Sequence, residues 1–344
     1  MLSIEKSIQA KAYALGYEKC GIVPIHKLDG YEEKLKERIE KVPESERFYQ
    51  GQKRLLNLNN TYPWAKSAVV LALSYNKYKV PEQVKGHIAK SYLFDVRIDK
   101  NSVEYNNRQK FEQYLGKLGI KAENNKKFGI VGMRWAALQA GLGVVRRNNF
   151  FYTESGSWNH IEAWLIDKDI ELLEEKSLAP CPAGCSKCIG SCPTKSLSEA
   201  YTMSPTKCIS YLTTFGGREL YQEPLAGKFG DCIYGCDICQ DVCPMNAKEW
   251  KGREEFPGLS EIIPNLSPEN IMSMRQEYYT AKIQPKFFYL TDKELWKWQV
   301  NTLNYMDNQY KDEYRKYILK ACESEYTQVR NMALIIIKNR LLAV

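Results

Sequence analysis

Two runs of cysteine constrain this 344-residue chain more than any other feature. The first is Cys181, Cys185, Cys188 and Cys192, with Pro193 directly after; the second is Cys232, Cys236, Cys239 and Cys243, with Pro244 directly after. Each contains C-x2-C-x3-C-P, the spacing with which a bacterial ferredoxin grips two [4Fe–4S] clusters. Two intervening residues let one tight turn present two sulfurs to one cluster, and the proline keeps that turn from continuing as helix. Disulfides are a poor alternative, because the cysteines are densely packed and the N-terminus lacks the apolar core of a secretory signal. Zinc ribbons show two separated C-x2-C pairs instead.

In the ferredoxin arrangement the cysteine before proline serves the other cluster. Cys181, Cys185 and Cys188 would then share one cluster with Cys243, and Cys236, Cys239 and Cys192 would share the second. That second cluster needs a fourth ligand, and both Cys208 and Cys232 qualify. Cys181 and Cys185 are one residue further apart than the ferredoxin pattern, an excess that Gly184 can absorb through its free φ. Cys20 and Cys322 lie far from both runs and read as core thiols.

The hydrophobic fraction of 44% marks a globular chain, and its net charge of +8 permits an anionic partner without demanding one. No apolar run approaches the ~20 residues of a membrane span; no membrane association is expected, and the expected location is the cytoplasm. The pattern predicts an N-terminal helix with Ile4, Ile8 and Ala12 on one face, ending near Gly16. It predicts a solvated charged helix at 31–42, a strand at 67–73 buried on both sides, and a helix over 104–121. Residues 128–150 read as a glycine-punctuated helix breaking at Gly141–Gly143 into a basic, asparagine-rich loop, followed by a strand over 156–167. After the cysteine module the chain reads as mostly helical, ending in an amphipathic pair whose second helix starts near Thr327. The expected fold is α+β, divided at 1–177, 178–250 and 251–344. There is no dinucleotide-binding glycine fingerprint and no phosphate-binding Walker lysine motif. His26, His87 and His160 are too scattered for a histidine metal site.

The segments ALGYEKCGIVP, SAVVLALSY, AGLGVVRRNNFFYTESGSW, the first cysteine run, KCISYLTTF and IYGCDICQDVCPMN occur in an order that resembles epoxyqueuosine reductase and its relatives. These are cobalamin-dependent, double-[4Fe–4S] reductases, with the reductive dehalogenases as more distant kin. The resemblance covers about residues 5–250, and the C-terminal helix pair resembles the family's HEAT-like tail. It implies a nitroreductase-like corrinoid-binding core, a ferredoxin-like double-cluster module and base-off cobalamin. The chain has no D-x-H-x-x-G loop, which fits an open lower corrinoid face. Gly141 and Gly143 would let backbone approach the macrocycle. Arg146, Asn148, Asn149, Ser157 and Trp158, with Ser210, Tyr211 and Thr213, would hold its periphery. Cys208 matches a family cluster ligand, leaving Cys232 as a spare thiol. The implied activity is a reduction in which an external ferredoxin- or flavodoxin-type donor loads the clusters and they deliver electrons to the corrinoid. Its substrate would be a small molecule or a modified nucleoside, with tRNA as a candidate partner.

The chain departs from the family where a proton donor is expected. The relatives carry an aspartate in a D-T-A-P-like segment before the AGLG loop; here no carboxylate lies between Glu123 and Glu154. Tyr92, Lys127, Arg134 and His160 are candidate replacement acids. The segment HIAKSYLFDVRID keeps partial echoes of a family motif in Lys90, Tyr92, Asp95 and Arg97. Losing a proton donor costs ~100-fold or more in rate, so the expected substrate is not epoxyqueuosine. Reduction of epoxyqueuosine in tRNA is one alternative, and a non-catalytic electron carrier or corrinoid activator is another.

Overall fold

Alternation along one apolar strand organises the first half of the chain. In the computed structural model, which describes residues 2–94, 100–125, 128–174, 178–214, 220–247 and 250–342, Ser67–Ser74 forms the second strand of a four-stranded sheet. The strands are β1 (Lys19–Pro24), β2 (Ser67–Ser74), β3 (Ala122–Glu123) and, beyond a short hairpin of β4 (Val144–Val145) and β5 (Phe151–Tyr152), β6 (Asn159–Ile166). Their order is β1-β2-β6-β3, all antiparallel, with registers such as Lys19↔Ala72 and Ser67↔Ile166. Side chains alternate across a strand. Val69, Leu71 and Leu73 join a core with Ile8 and Ala12 of helix α1 (Ile4–Ala14) and Phe111 and Leu115 of α3 (Val103–Lys117). Ala68 and Val70 join a second core with Ala136 and Ala137 of α4 (Met133–Gln139). Helices on both faces explain why an antiparallel strand reads as a continuous apolar run.

The helix starts are locally encoded. Ser3 and Ser102 accept hydrogen bonds from the backbone of Lys6 and Tyr105, satisfying first-turn donors. Gly16 ends the first helix region at φ +87°. The charged segment forms α2 (Tyr31–Lys41). The long helix expected over 128–150 shortens to α4, because Gly129 sits at φ +75° and the chain enters the helix only at Gly132. A Cβ on Gly132 would meet the Tyr31 ring at 2.8 Å, so this glycine lets α2 and the start of α4 touch.

The C-terminal third contributes α8 (Leu295–Asn308), α9 (Arg315–Ala321) and α10 (Thr327–Arg340). The last begins where the sequence places it. α8 is buried along nearly its whole length, Lys297, Asn301 and Asn304 included. Its polar side chains pair with the backbone of the cysteine module: Lys297 donates to Thr214 O, Asn301 to Thr213 O and Ile233 O, and Asn304 to Ala226 O. Trp298 stacks on Tyr234 at 4.7 Å. One core thus runs from Ile8 through Ile233 to Ile337, across all three divisions expected from sequence. Among the described residues no helix is long and apolar enough to cross a membrane.

Candidate functional site

The two cysteine runs fold into short helices, α5 (Lys187–Ser191) and α7 (Ile238–Asp241), which pack on each other, while α6 (Ile209–Leu212) follows Cys208. Cys192 ends α5 in extended backbone, as the proline after it requires. All 11 cysteines are unbridged. The sulfurs sort into two groups: Cys188 has Cys181 and Cys243 as neighbours, while Cys239 has Cys236, Cys208 and Cys192. Cys232, buried, hydrogen-bonds with Cys236.

Burial pushes the Cys208 thiol up to about 11 and Cys239 further, with the neighbouring sulfurs adding to both shifts. Cys236 rises through its bond to Cys232 first and burial second. Such thiols ionise only when a metal displaces their protons, and sets of four thiolates are the donor chemistry of [4Fe–4S] clusters. Among the described residues no three His, Cys, Asp or Glu side chains converge on one metal ion; a cubane, with a separate iron for each thiolate, does not need them to.

Cys192, Cys208, Cys236 and Cys239 wall a cavity of ≈ 250 Å³ together with Phe48, Asn148, Ser210 and Tyr211. A second cavity, of ≈ 410 Å³, opens between α2 and α4 and is lined by Tyr31, Lys34, Glu37, Arg38, Lys41, Trp135 and Tyr201. Arg134 and Asn149 line both. The Arg134 guanidinium donates to Asn149 O, and burial, then the charge of Arg38, pulls it down to about 10. Asn149 is held at φ +64°, and its buried Nδ2 has no hydrogen-bond partner. A third cavity, of ≈ 570 Å³, reaches Cys232 and Cys236 past Lys90, Asp237 and Trp250.

The basic loop before β5 ties the core to the cysteine module. Arg147 Nη1 donates to Cys185 O at 2.6 Å, and Asn148 Nδ2 donates to Cys239 O at 3.1 Å and to the Tyr152 hydroxyl at 2.8 Å. Ser157 N donates to Asn246 Oδ1 at 2.9 Å, and Ser157 Oγ donates to Gln240 Oε1 at 2.8 Å. Asn246 Nδ2 returns to Ser157 Oγ at 2.8 Å and Gln240 O at 2.9 Å.

This arrangement changes the reason for several residues. Gly141 and Gly143 make room for the protein's own backbone: a Cβ there would meet Glu174 O at 2.1 Å and Tyr152 O at 2.0 Å. Ser157 is spent on Asn246 and Gln240. Trp158 is buried against Tyr75 and Trp250, with the Lys90 ammonium 4.5 Å over its ring. Thr213 bonds Ile209 O and receives Gly235 N–H. Arg146 is buried against the Tyr152 ring. None of these lines the three cavities, whereas Asn148, Asn149, Ser210 and Tyr211 do.

Among the candidate acids, Arg134 stands at the cavity junction. Tyr92 shares a 2.9 Å hydrogen bond with Ser210, and burial raises its phenol. His160 packs against Tyr75 and Phe94. Lys127, like Asp95 and Arg97, lies outside the described residues. Lys90 pairs with Asp237 and Asp241. Sequence reasoning missed Tyr152, Gln240 and Asn246, although the last two sit inside IYGCDICQDVCPMN, where polar residues flanking a cluster motif were the available signal.

Residues 181–246 match the family of 4Fe-4S double cluster binding domains. The chain is 28% identical over 250 residues to the epoxyqueuosine reductase of Cellulophaga algicola, a match that covers 70% of this chain and 78% of that protein. Its fold matches a selenomethionine-labelled epoxyqueuosine reductase with TM-score 0.75 and 19% identity, over 97% of this chain and 89% of the other. It also matches an epoxyqueuosine reductase solved with an epoxyqueuosine-modified tRNA-Tyr stem loop, with TM-score 0.70 and 17% identity, over 97% and 98%. Motif order, the double-cluster domain, the relatives and the shared fold together make this chain similar to the epoxyqueuosine reductases, which are iron–sulfur oxidoreductases.

Proposed function

We propose that this chain is an iron–sulfur reductase acting on a modified nucleoside of the epoxyqueuosine kind carried by tRNA. The observation that carries the reading is the junction at Arg134 and Asn149, where a basic cleft meets the cavity walled by four cysteines. Lys34, Arg38, Lys41 and Arg134 line that cleft against one carboxylate, Glu37, which is already paired with Lys34 at 2.9 Å. Such a surface suits phosphodiesters, and Tyr31, Trp135 and Tyr201 offer faces on which a base can stack. The name shared by the relatives and the tRNA stem loop held by a structural neighbour support the same substrate.

In this reading Cys181, Cys185, Cys188 and Cys243 hold one cluster, and Cys192, Cys208, Cys236 and Cys239 hold the second, at the cavity. Residues 1–177 act as the nitroreductase-like, corrinoid-binding part, 178–250 as the ferredoxin-like module, and 251–344 as the HEAT-like part. Two features of this cavity, which at ≈ 250 Å³ takes only the edge of a macrocycle, suit a corrinoid: Asn149 offers a buried amide donor without a partner, and no histidine lines it. Arg134, Asn149, Ser210 and Tyr211 would hold that group, which when bound supplies a strongly reducing centre beside the second cluster. Arg38 and Arg134 orient the anionic substrate, and Phe48 and Tyr211, edge to face at 5.3 Å, exclude water at the cavity wall.

A second reading, reduction of a different substrate, is favoured by one observation. No carboxylate lines the cysteine-walled cavity, and Glu37 in the basic cleft is held below the usual carboxylate range by its bond to Lys34. Expression of the chain in a cell lacking epoxyqueuosine reductase separates the two. Restored queuosine in tRNA supports the first reading. An iron-loaded, corrinoid-binding protein that restores none supports the second, and one that binds no corrinoid supports an electron carrier.

A further inference from the structure

We infer that Tyr201 is the base-stacking contact of the basic cleft, taking the nucleobase next to the reacting nucleoside, and that the chain holds it in strained backbone for that contact. The inference deepens the tRNA reading above and rests on it.

The first observation is the backbone. Tyr201 sits at φ +62° in the turn Glu199–Thr202, which Thr202 N closes onto Glu199 O at 3.3 Å and Thr202 Oγ1 onto Glu199 Oε1 at 3.1 Å. A turn residue in that region is ordinarily glycine or asparagine, because a Cβ crowds the carbonyl. Asn149, the other left-handed residue of the cleft, follows that preference, and Tyr201 breaks it. Strained backbone persists only where its surroundings hold it, and here they do. At the base of the loop Ser204 N donates to Ser196 O at 2.8 Å and Ser196 Oγ to Ser204 O at 2.7 Å. Leu197 and Thr202 are buried, and Tyr201 N donates to Arg147 O at 3.0 Å.

The second observation is that the protein itself does not use the ring. Tyr201 is 47% exposed, and among the described residues its side chain makes no hydrogen bond, aromatic pair or cation–π contact. Two other rings of the cleft are engaged: Tyr31 is buried against Gly132, and Trp135 Nε1 donates to Leu28 O at 3.1 Å. Phe128 is exposed too, but its backbone is not left-handed.

Position gives the register. Ser196, Leu197 and Met203 of the same loop line the cysteine-walled cavity, while Tyr201 at its tip lines the cleft beside Lys34, Arg38, Lys41 and Arg134. A nucleoside in the cavity therefore places a flanking base over Tyr201. The cations take the phosphodiesters, and the ring takes any base, because every base has a π-face. The nucleotide tail of a corrinoid offers the same chemistry, a heteroaromatic base beside a phosphodiester, so cobalamin serves as a second probe.

The test is binding of a fluorescent tRNA-Tyr stem loop to the full, cluster-loaded chain across a salt series, with the melting temperature of each variant. Tyr201→Asn should bind roughly tenfold more weakly, with an unchanged slope against salt, since stacking displaces no counterions. It should also melt ~2 °C higher, because asparagine accepts the left-handed backbone. Tyr201→Phe should bind as the unsubstituted protein does. Removing loop bases one at a time should reveal one position that costs about tenfold with Tyr201 in place and almost nothing in Tyr201→Asn. Unchanged affinity of Tyr201→Asn would overturn the inference. So would weaker binding joined to a lower melting temperature, which would make the ring a structural prop. Retained stem-loop binding with lost retention of added cobalamin would assign the ring to the corrinoid tail and overturn it too. A cluster-loaded, unsubstituted chain that binds no stem loop would overturn the tRNA reading and this inference together, whereas binding indifferent to Tyr201 overturns the inference alone.

Discussion

Replacing Asn246 with alanine should loosen the seat of the cysteine module on the sheet. Its side chain accepts from Ser157 N at 2.9 Å and donates to Gln240 O at 2.9 Å and Ser157 Oγ at 2.8 Å, in a place only 4% exposed. Alanine removes these bonds, with the longer one to the Tyr152 hydroxyl, and leaves the buried Ser157 N–H without a partner, while Gln240 O keeps the N–H of Cys243. The orphaned group costs about 1–3 kcal/mol and each other lost bond about 1 kcal/mol, so the loss should be ~4 kcal/mol. At 1.4 kcal/mol per power of ten, that is roughly a thousandfold faster local opening. The assay is amide hydrogen exchange of the cluster-loaded protein, read at Ser157, with amides of α8 as the internal control. Acceleration below about tenfold at Ser157 would refute the reasoning, since it would mean that water or a rearranged Gln240 replaces the lost partners. Equal acceleration in α8 would refute it differently, by showing global rather than local loosening.

Cys208→Ser should cost one cluster, read as half the iron content, whereas Cys232→Ser should retain both, because Cys208, and not Cys232, stands among the sulfurs around Cys239. Gly143→Ala should abolish soluble, cluster-loaded protein or cost at least ~3 kcal/mol, as overpacking against a backbone oxygen does; a wild-type melting temperature would contradict the 2.0 Å approach to Tyr152 O. Cluster loading should strengthen from neutral to mildly alkaline pH and weaken on acidification. Loading must remove protons from thiols whose pKa values burial raises, Cys208 to about 11, and iron binding followed against pH checks the sign. Arg134→Ala should weaken binding of a tRNA stem loop about tenfold and flatten its salt dependence; an unchanged slope would place the RNA elsewhere.

The sequence was most legible where one local rule decides the outcome. The buried strand, the helix over Val103–Lys117 and the start of the last helix at Thr327 follow from periodicity and capping. Spacing sorts seven of the cysteines into two groups, and Cys208 joins the second only through the family resemblance. What stayed hidden depends on distant contacts. Gly141 and Gly143 look like ligand-facing glycines until Glu174 O and Tyr152 O are found against them. The charged helix Tyr31–Lys41 reads as a solvated face, yet Arg38 comes close enough to Arg134 to depress its ionisation. Helix α8 carries lysine and asparagines that periodicity assigns to solvent, but their partners are carbonyls 68–88 residues away.

That same helix bears on how the protein is made. Among the described residues, the carbonyls of Thr213, Thr214, Ala226 and Ile233 find side-chain donors in Leu295–Asn308. On the ribosome, the segment bearing all eight paired-run cysteines emerges well before those donors do. The nascent module therefore lacks these partners until residue 308 has cleared the exit tunnel. Cluster insertion that needs the seated module is then a late event in the life of this chain, and a chain stopped before α8 should load less iron than the full one.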